Sequence, residues 1–168
     1  MISKKMAEKL NDQLNKEFFS AYLYLSISAS CSSQGFNGAS NWFFIQYQEE
    51  NAHALKLFRY LDDQNVDLDL RTISAPELEG LSFIGAFEAS LNHEQKMTRH
   101  LNELSDFSFQ EKDHATYNFL QWYVTEQVEE EATLNHIIDQ IRIVGNDGYG
   151  LLTIDKELGT RTFIDPTL

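Results

Sequence analysis

Apolar residues recur at spacings of three and four along four long stretches of the chain, with polar residues on the remaining faces, the pattern of amphipathic helices. The inward stripe of the first stretch reads Leu10, Leu14, Glu17, Ala21 and Tyr24, and that of the second Phe43, Gln46, Glu50, His53 and Leu57. The third reads Ile84, Phe87, Leu91, Glu94, Met97 and Leu101, and the fourth Tyr123, Gln127, Glu130, Leu134, Ile137 and Ile141. Glycines at 35, 38, 80, 85 and 145–150, with prolines only at 76 and 166, punctuate these stretches. They predict helices over about 3–33, 37–65, 81–107 and 110–144, and a short fifth in "LLTIDKEL" after the "GNDGYG" break.

The links between the first and second, and the third and fourth, helices are short and make each pair antiparallel neighbours. The segment "VDLDLRTISAPELEG" is long enough to travel the length of a bundle. The expected fold is therefore all-α, a four-helix bundle with one long crossover and a short fifth C-terminal helix. "DLDLRTI" alternates briefly inside the crossover, but no segment sustains a two-residue alternation, so strands are not expected. With 168 residues, 42% of them hydrophobic, the chain suits a single domain over 1–168.

Every stripe carries one glutamate near the middle of its helix. At about 1.5 Å per residue all four stand roughly 20 Å from the bundle ends, so they meet at one level. Burying an uncompensated carboxylate costs several kcal/mol even after relaxation, and no Lys or Arg lies on any of these stripes. Two remedies stay open: raised pKa values, or divalent cations between the carboxylates. Two dications would balance four carboxylates. His53, three residues after Glu50, faces the same way and completes a Glu-x-x-His spacing. Oxygen ligands with one imidazole suit iron(II), manganese or zinc, and spacing does not choose among them.

The charge fits cation handling. Thirteen basic residues against 26 acidic ones give a net charge of −13, which attracts cations and repels nucleic-acid phosphates and anionic membranes. No run is long and apolar enough to span a bilayer, and the start "MISKKMAEKLNDQLNKEFF" has no secretory apolar segment. The lone Cys31 cannot form an internal disulfide or a four-cysteine metal site. The expected location is cytoplasmic, with neither nucleic acid nor membrane as partner.

"EKLNDQLNKEFFSAYLYLSISASCS", "QEENAH" and "NFLQWYVTEQVEEE", with "GLLTIDKEL" at the short fifth helix, resemble the ferritin family, in particular haem-free bacterial ferritins, over nearly the whole chain. The resemblance implies a ferroxidase centre in which Glu17, Glu50 and His53 hold the first iron. Glu50 bridges to a second iron held by Glu94 and Glu130, and Gln127 lies close enough to hydrogen-bond a bound oxygen species. It implies a third iron position at Glu49, Glu126 and Glu129, sharing Glu130, and two aromatic electron donors, Tyr24 and Trp122. The implied activity is oxidation of iron(II) by oxygen or peroxide, with the mineral stored inside a homo-oligomeric shell of twenty-four subunits.

The departures from related patterns are informative. A second Glu-x-x-His would need histidine at 133, where Thr133 stands, and residue 51 is Asn51 where a bacterioferritin has its haem-ligating methionine. No haem is expected. A DNA-protecting miniferritin would need basic tails, a rubrerythrin-like peroxidase a cysteine-rich iron domain, and a purely structural bundle would leave four core glutamates unexplained. His93, His100, His114 and His136 match no ligand position and are expected at surface or structural places. Cys31 is expected to be a small buried residue, and Phe18, Phe19 and Tyr22 to make packing or subunit contacts.

Overall fold

The computed structural model describes residues 2–78 and 80–167. They form five helices in chain order: α1 (Lys4–Ser33), α2 (Asn37–Asp63), α3 (Phe83–Gln110), α4 (His114–Val144) and α5 (Gly148–Leu158). No strand occurs among the described residues, and "DLDLRTI" is irregular. No helix is long and apolar enough to cross a membrane.

Helix ends differ from the sequence expectation by up to four residues, for local reasons. α2 stops at Asp63 because Asn65 turns left-handed (φ 55°), letting Val66 N–H donate to Leu61 O at 3.1 Å. α3 runs on to Gln110 and closes with Lys112 at φ 58°; α4 then starts after Asp113, whose carboxylate accepts from Thr116 N–H at 3.1 Å. Neither left-handed position is a glycine, so neither announces itself in the sequence.

α1 pairs with α2, and α3 with α4. The crossover is pinned along the flank of α1. Asn11 Nδ2 donates to Asp69 O at 3.0 Å, Asn15 Oδ1 accepts from Arg71 N–H at 2.8 Å, and Gln34 Nε2 donates to Leu81 O at 3.0 Å. These three points rise from the start of α1 to its end, as a connection returning the chain to the far end must. Of the crossover, Glu79 lies outside the described residues.

The core is split in two. Met6, Leu10, Leu14, Leu57, Leu101 and Leu120 belong to the cluster toward one end. Tyr24, Ile27, Phe43, Phe87, Leu134 and Ile141 belong to the cluster toward the other. Between them the stripes become polar, with Glu17, Glu50, Glu94 and Glu130 all buried.

α5 is fastened at the end of α2. No side chain of its own caps the N-terminus of α2, but Asp155 of α5 accepts from Gly38 N–H at 3.1 Å and Ala39 N–H at 2.8 Å. The helices approach so closely that a Cβ on Gly38 would lie 1.5 Å from Asp155 O. Residues after α5 then run back toward the middle of α2.

Candidate metal centre

The polar layer draws one carboxylate from each long helix, because period-3.6 burial turns Glu17, Glu50, Glu94 and Glu130 inward at the same height. Burial comes first among the causes acting on all four and raises the pKa of each. The charges of Glu94 and Glu17 then hold Glu50 well above the ordinary carboxyl range, and those of Glu94 and Glu50 do the same to Glu130.

The four are not equivalent. Burial raises Glu94, but Tyr24 O–H donates to one of its oxygens and Gln127 Nε2 to the other at 3.0 Å, and both favour the ionised form. Glu17 accepts from Gln13 Nε2 at 2.8 Å and lies beside Glu50, with ligand atoms within 4.8 Å. Burial and the neighbouring carboxylates favour the neutral form of Glu50. Glu130 accepts from Gln46 Nε2 at 2.9 Å.

His53 completes the layer. Its Nδ1 lies 3.5 Å from Glu50 Oε2, and its Nε2 is buried without a hydrogen-bond partner among the described residues. Tyr123 O–H donates to His53 O at 2.7 Å, fixing α2 against α4 at this height. The Trp122 ring meets the imidazole edge-to-face at 5.3 Å.

Ligand atoms of Glu17, Glu50 and His53 lie within 4.8 Å of one another, and so do those of His53, Glu126 and Glu130. Both groups are compact enough to hold a metal ion, and an imidazole nitrogen without a hydrogen-bond partner among carboxyl oxygens is a ligand set suited to a cation. Glu126 therefore reaches His53 and Glu130, besides facing the cleft it shares with Glu49 and Glu129. That cleft, about 340 Å³, is also lined by Thr133 and by residues of the tail after α5.

The stripes carry no basic residue, as expected, yet a cation does reach the edge of the layer. Arg161, from the tail, donates from Nη2 to Glu49 Oε2 at 2.6 Å and from Nη1 to Gln46 Oε1 at 2.5 Å. Burial raises the pKa of Glu49, and the guanidinium opposes that rise. Sequence reasoning missed Arg161, and its only prior signal was an arginine shortly after the fifth helix.

The remaining histidines stand outside both metal-competent groups. His114 and His136 are exposed, and His100 is half-buried. His93 lies within 2.7 Å of Ser20 Oγ, and burial lowers its pKa to about 4, so it is a neutral structural group. Cys31 is buried as expected. Phe18 and Phe19 pack against the core while Tyr22 is exposed.

A four-helix bundle whose buried middle is a carboxylate layer with one imidazole defines a class of helical bundles with a core able to hold metal. A ferritin-like domain model matches residues 7–144, and the chain belongs to the ferritin family. It is 40% identical over 163 residues to a bacterial non-heme ferritin of Staphylococcus aureus, covering 97% of this chain and 98% of that one. It is 43% identical over 159 residues to a probable bacterial non-heme ferritin-like protein of Haemophilus influenzae, covering 95% and 96%. Among solved structures, an open-pore ferritin from the archaeon Archaeoglobus fulgidus superposes with a TM-score of 0.94 at 46% identity, covering 96% of this chain and all of that one. A humanized archaeal ferritin gives 0.96 at 47%, covering 98% and 99%.

Proposed function

We propose that this protein stores and detoxifies iron, oxidising iron(II) at the paired carboxylate site and depositing iron(III) mineral inside a homo-oligomeric shell, by family resemblance one of twenty-four subunits. The observation that carries the reading is the meeting of four buried glutamates from four helices around a histidine whose Nε2 has no hydrogen-bond partner among the described residues. Iron(II) is substrate here. Glu17, Glu50 and His53 hold one ion, Glu94 and Glu130 the other, and Glu50 lies between them. Each ion gives up one electron, and dioxygen takes both with two protons to leave hydrogen peroxide. With peroxide as oxidant, the same two electrons and two protons leave water.

The residues around the pair prepare this chemistry. Carboxylates favour the harder iron(III) over iron(II). Tyr24 and Gln127 favour the ionised form of Glu94 that a cation needs, against the opposing effect of burial. Metal binding favours the ionised form of the buried carboxyls, so uptake releases protons. Glu49, Glu126 and Glu129, with Glu130, form a third, cleft-facing iron position. Asn51 and Thr133 leave no place for a haem or for a second Glu-x-x-His, and the chain works as one domain in the cytoplasm.

Gel filtration with aerobic iron(II) addition tests the reading. A very large particle that turns amber is expected. Glu17→Ala and His53→Ala should each abolish the rapid oxidation phase while leaving slow mineralisation. A small, inert particle, or unchanged initial rates in both variants, would overturn the assignment.

A further inference from the structure

The arginine at the third position has no place in the scheme so far. Arg161 lies in the short tail after α5, yet its guanidinium sits inward and is three-quarters covered, with 26% of the side chain exposed against 14% for Glu49. Three contacts hold it: Glu49 at 2.6 Å, Gln46 at 2.5 Å, and the face of Trp42, 4.6 Å from the ring centroid. Its backbone is held as well, since Asn41 Nδ2 donates to Arg161 O at 2.9 Å.

A guanidinium forked onto a carboxylate and an amide, with an aromatic ring beneath it, is a placed group. It occupies one of the two Glu49 oxygens that a metal ion in the cleft could take. A dication and a guanidinium cannot both take that oxygen as a close partner without strong like-charge repulsion at short range.

We propose that Arg161 is a displaceable resident cation of the third position, a positioning residue that holds Glu49 until a metal ion takes its place and frees the tail. This rests on the reading of Glu49, Glu126 and Glu129 as a third metal position. Displacement also reaches the paired site. Gln46 accepts from Arg161 with Oε1 and donates to Glu130 with Nε2 at 2.9 Å, so losing the arginine loosens the grip on a ligand of the second metal. The occupied cleft would thereby report to the pair through two side chains.

Zinc(II), which undergoes no redox change, is the probe, titrated calorimetrically into the metal-free assembled protein and soaked into its crystals. Three zinc ions per subunit are expected, with Arg161 swung off Glu49 in the soaked crystals. Arg161→Ala should tighten the weakest zinc about tenfold, the scale of one charge-assisted hydrogen bond no longer opposing it. Arg161→Lys, which keeps the charge but not the fork, should fall between. Gel filtration checks that both variants assemble. Glu49→Gln should lose the third zinc and keep two.

The outcomes separate. Three zinc ions, one of them lost in Glu49→Gln, together with an unmoved Arg161 or an unchanged affinity in Arg161→Ala, would overturn the displaceable arginine and leave the third position standing. Two zinc ions in both wild type and Glu49→Gln would overturn the third position and the proposal with it.

Discussion

Glu50→Gln turns the raised pKa of a buried carboxyl into a measurable slope. In the metal-free protein Glu50 is buried between Glu17 and Glu94 and holds its proton well above the ordinary carboxyl range. A group whose pKa is raised by folding contributes stability that is fully present below its unfolded pKa and is lost as pH rises through the folded value. Metal-free wild type should therefore lose stability as pH rises above the ordinary carboxyl range, at up to about 1.4 kcal/mol per pH unit for one proton. For a domain of this size that is about 3–5 °C of melting temperature per unit. Glutamine has no such titration. The variant's profile should be flatter by about that slope and its melting temperature higher than wild type's at pH 8. Saturating zinc(II) should reverse the order, since the variant has lost the ligand proposed to lie between two metals. Thermal melts of demetallated assemblies at several pH values decide the matter. Parallel pH profiles, or a variant less stable than wild type at pH 8 without metal, would refute the raised Glu50.

Other consequences follow from individual contacts. Tyr24→Phe removes a hydroxyl donor that favours ionised Glu94, so the onset of zinc binding should move to higher pH; an unshifted onset would show that the hydrogen bond does not tune the ligand. Asp155→Asn weakens the cap that α5 places on the start of α2 and should cost about 1–2 kcal/mol in denaturant melts. Gly38→Ala should cost more, because the added Cβ meets the backbone of Asp155 and not a flexible side chain. Cys31, pushed up to about 11 by burial and then by the charge of Asp155, should resist alkylation at pH 8 in the folded protein and react on denaturation, as a timed thiol assay would show.

How far the site is legible in sequence depends on which kind of order places each residue. Glu17, Glu50, His53, Glu94 and Glu130 are set by helical period, so four interrupted stripes suffice to bring them to one level. The same reasoning treats the four glutamates alike. Their differences come from Gln13, Gln46, Gln127 and Tyr24, which donate to them within or between helices and of which only the hydrogen-bond partners reveal the role. The long crossover is legible from its length, but its course along α1 is set by Asn11, Asn15 and Gln34, residues that read as ordinary polar surface.

Arg161 is the extreme case. The tail has no periodic pattern, and its course over the cleft follows from the docking of α5, which in turn depends on Asp155 meeting two amides more than a hundred residues earlier in the chain. A glycine at position 38 permits that meeting and gives no sign of its partner. The carboxylate layer is thus encoded locally, helix by helix, whereas the placement of Arg161 over the adjoining cleft depends on one long-range contact. Asp155→Asn should accordingly mimic part of Arg161→Ala in zinc affinity while leaving the paired site's own ligands in place, and a variant with a weakened α5 dock but an unaltered weakest zinc would break that link.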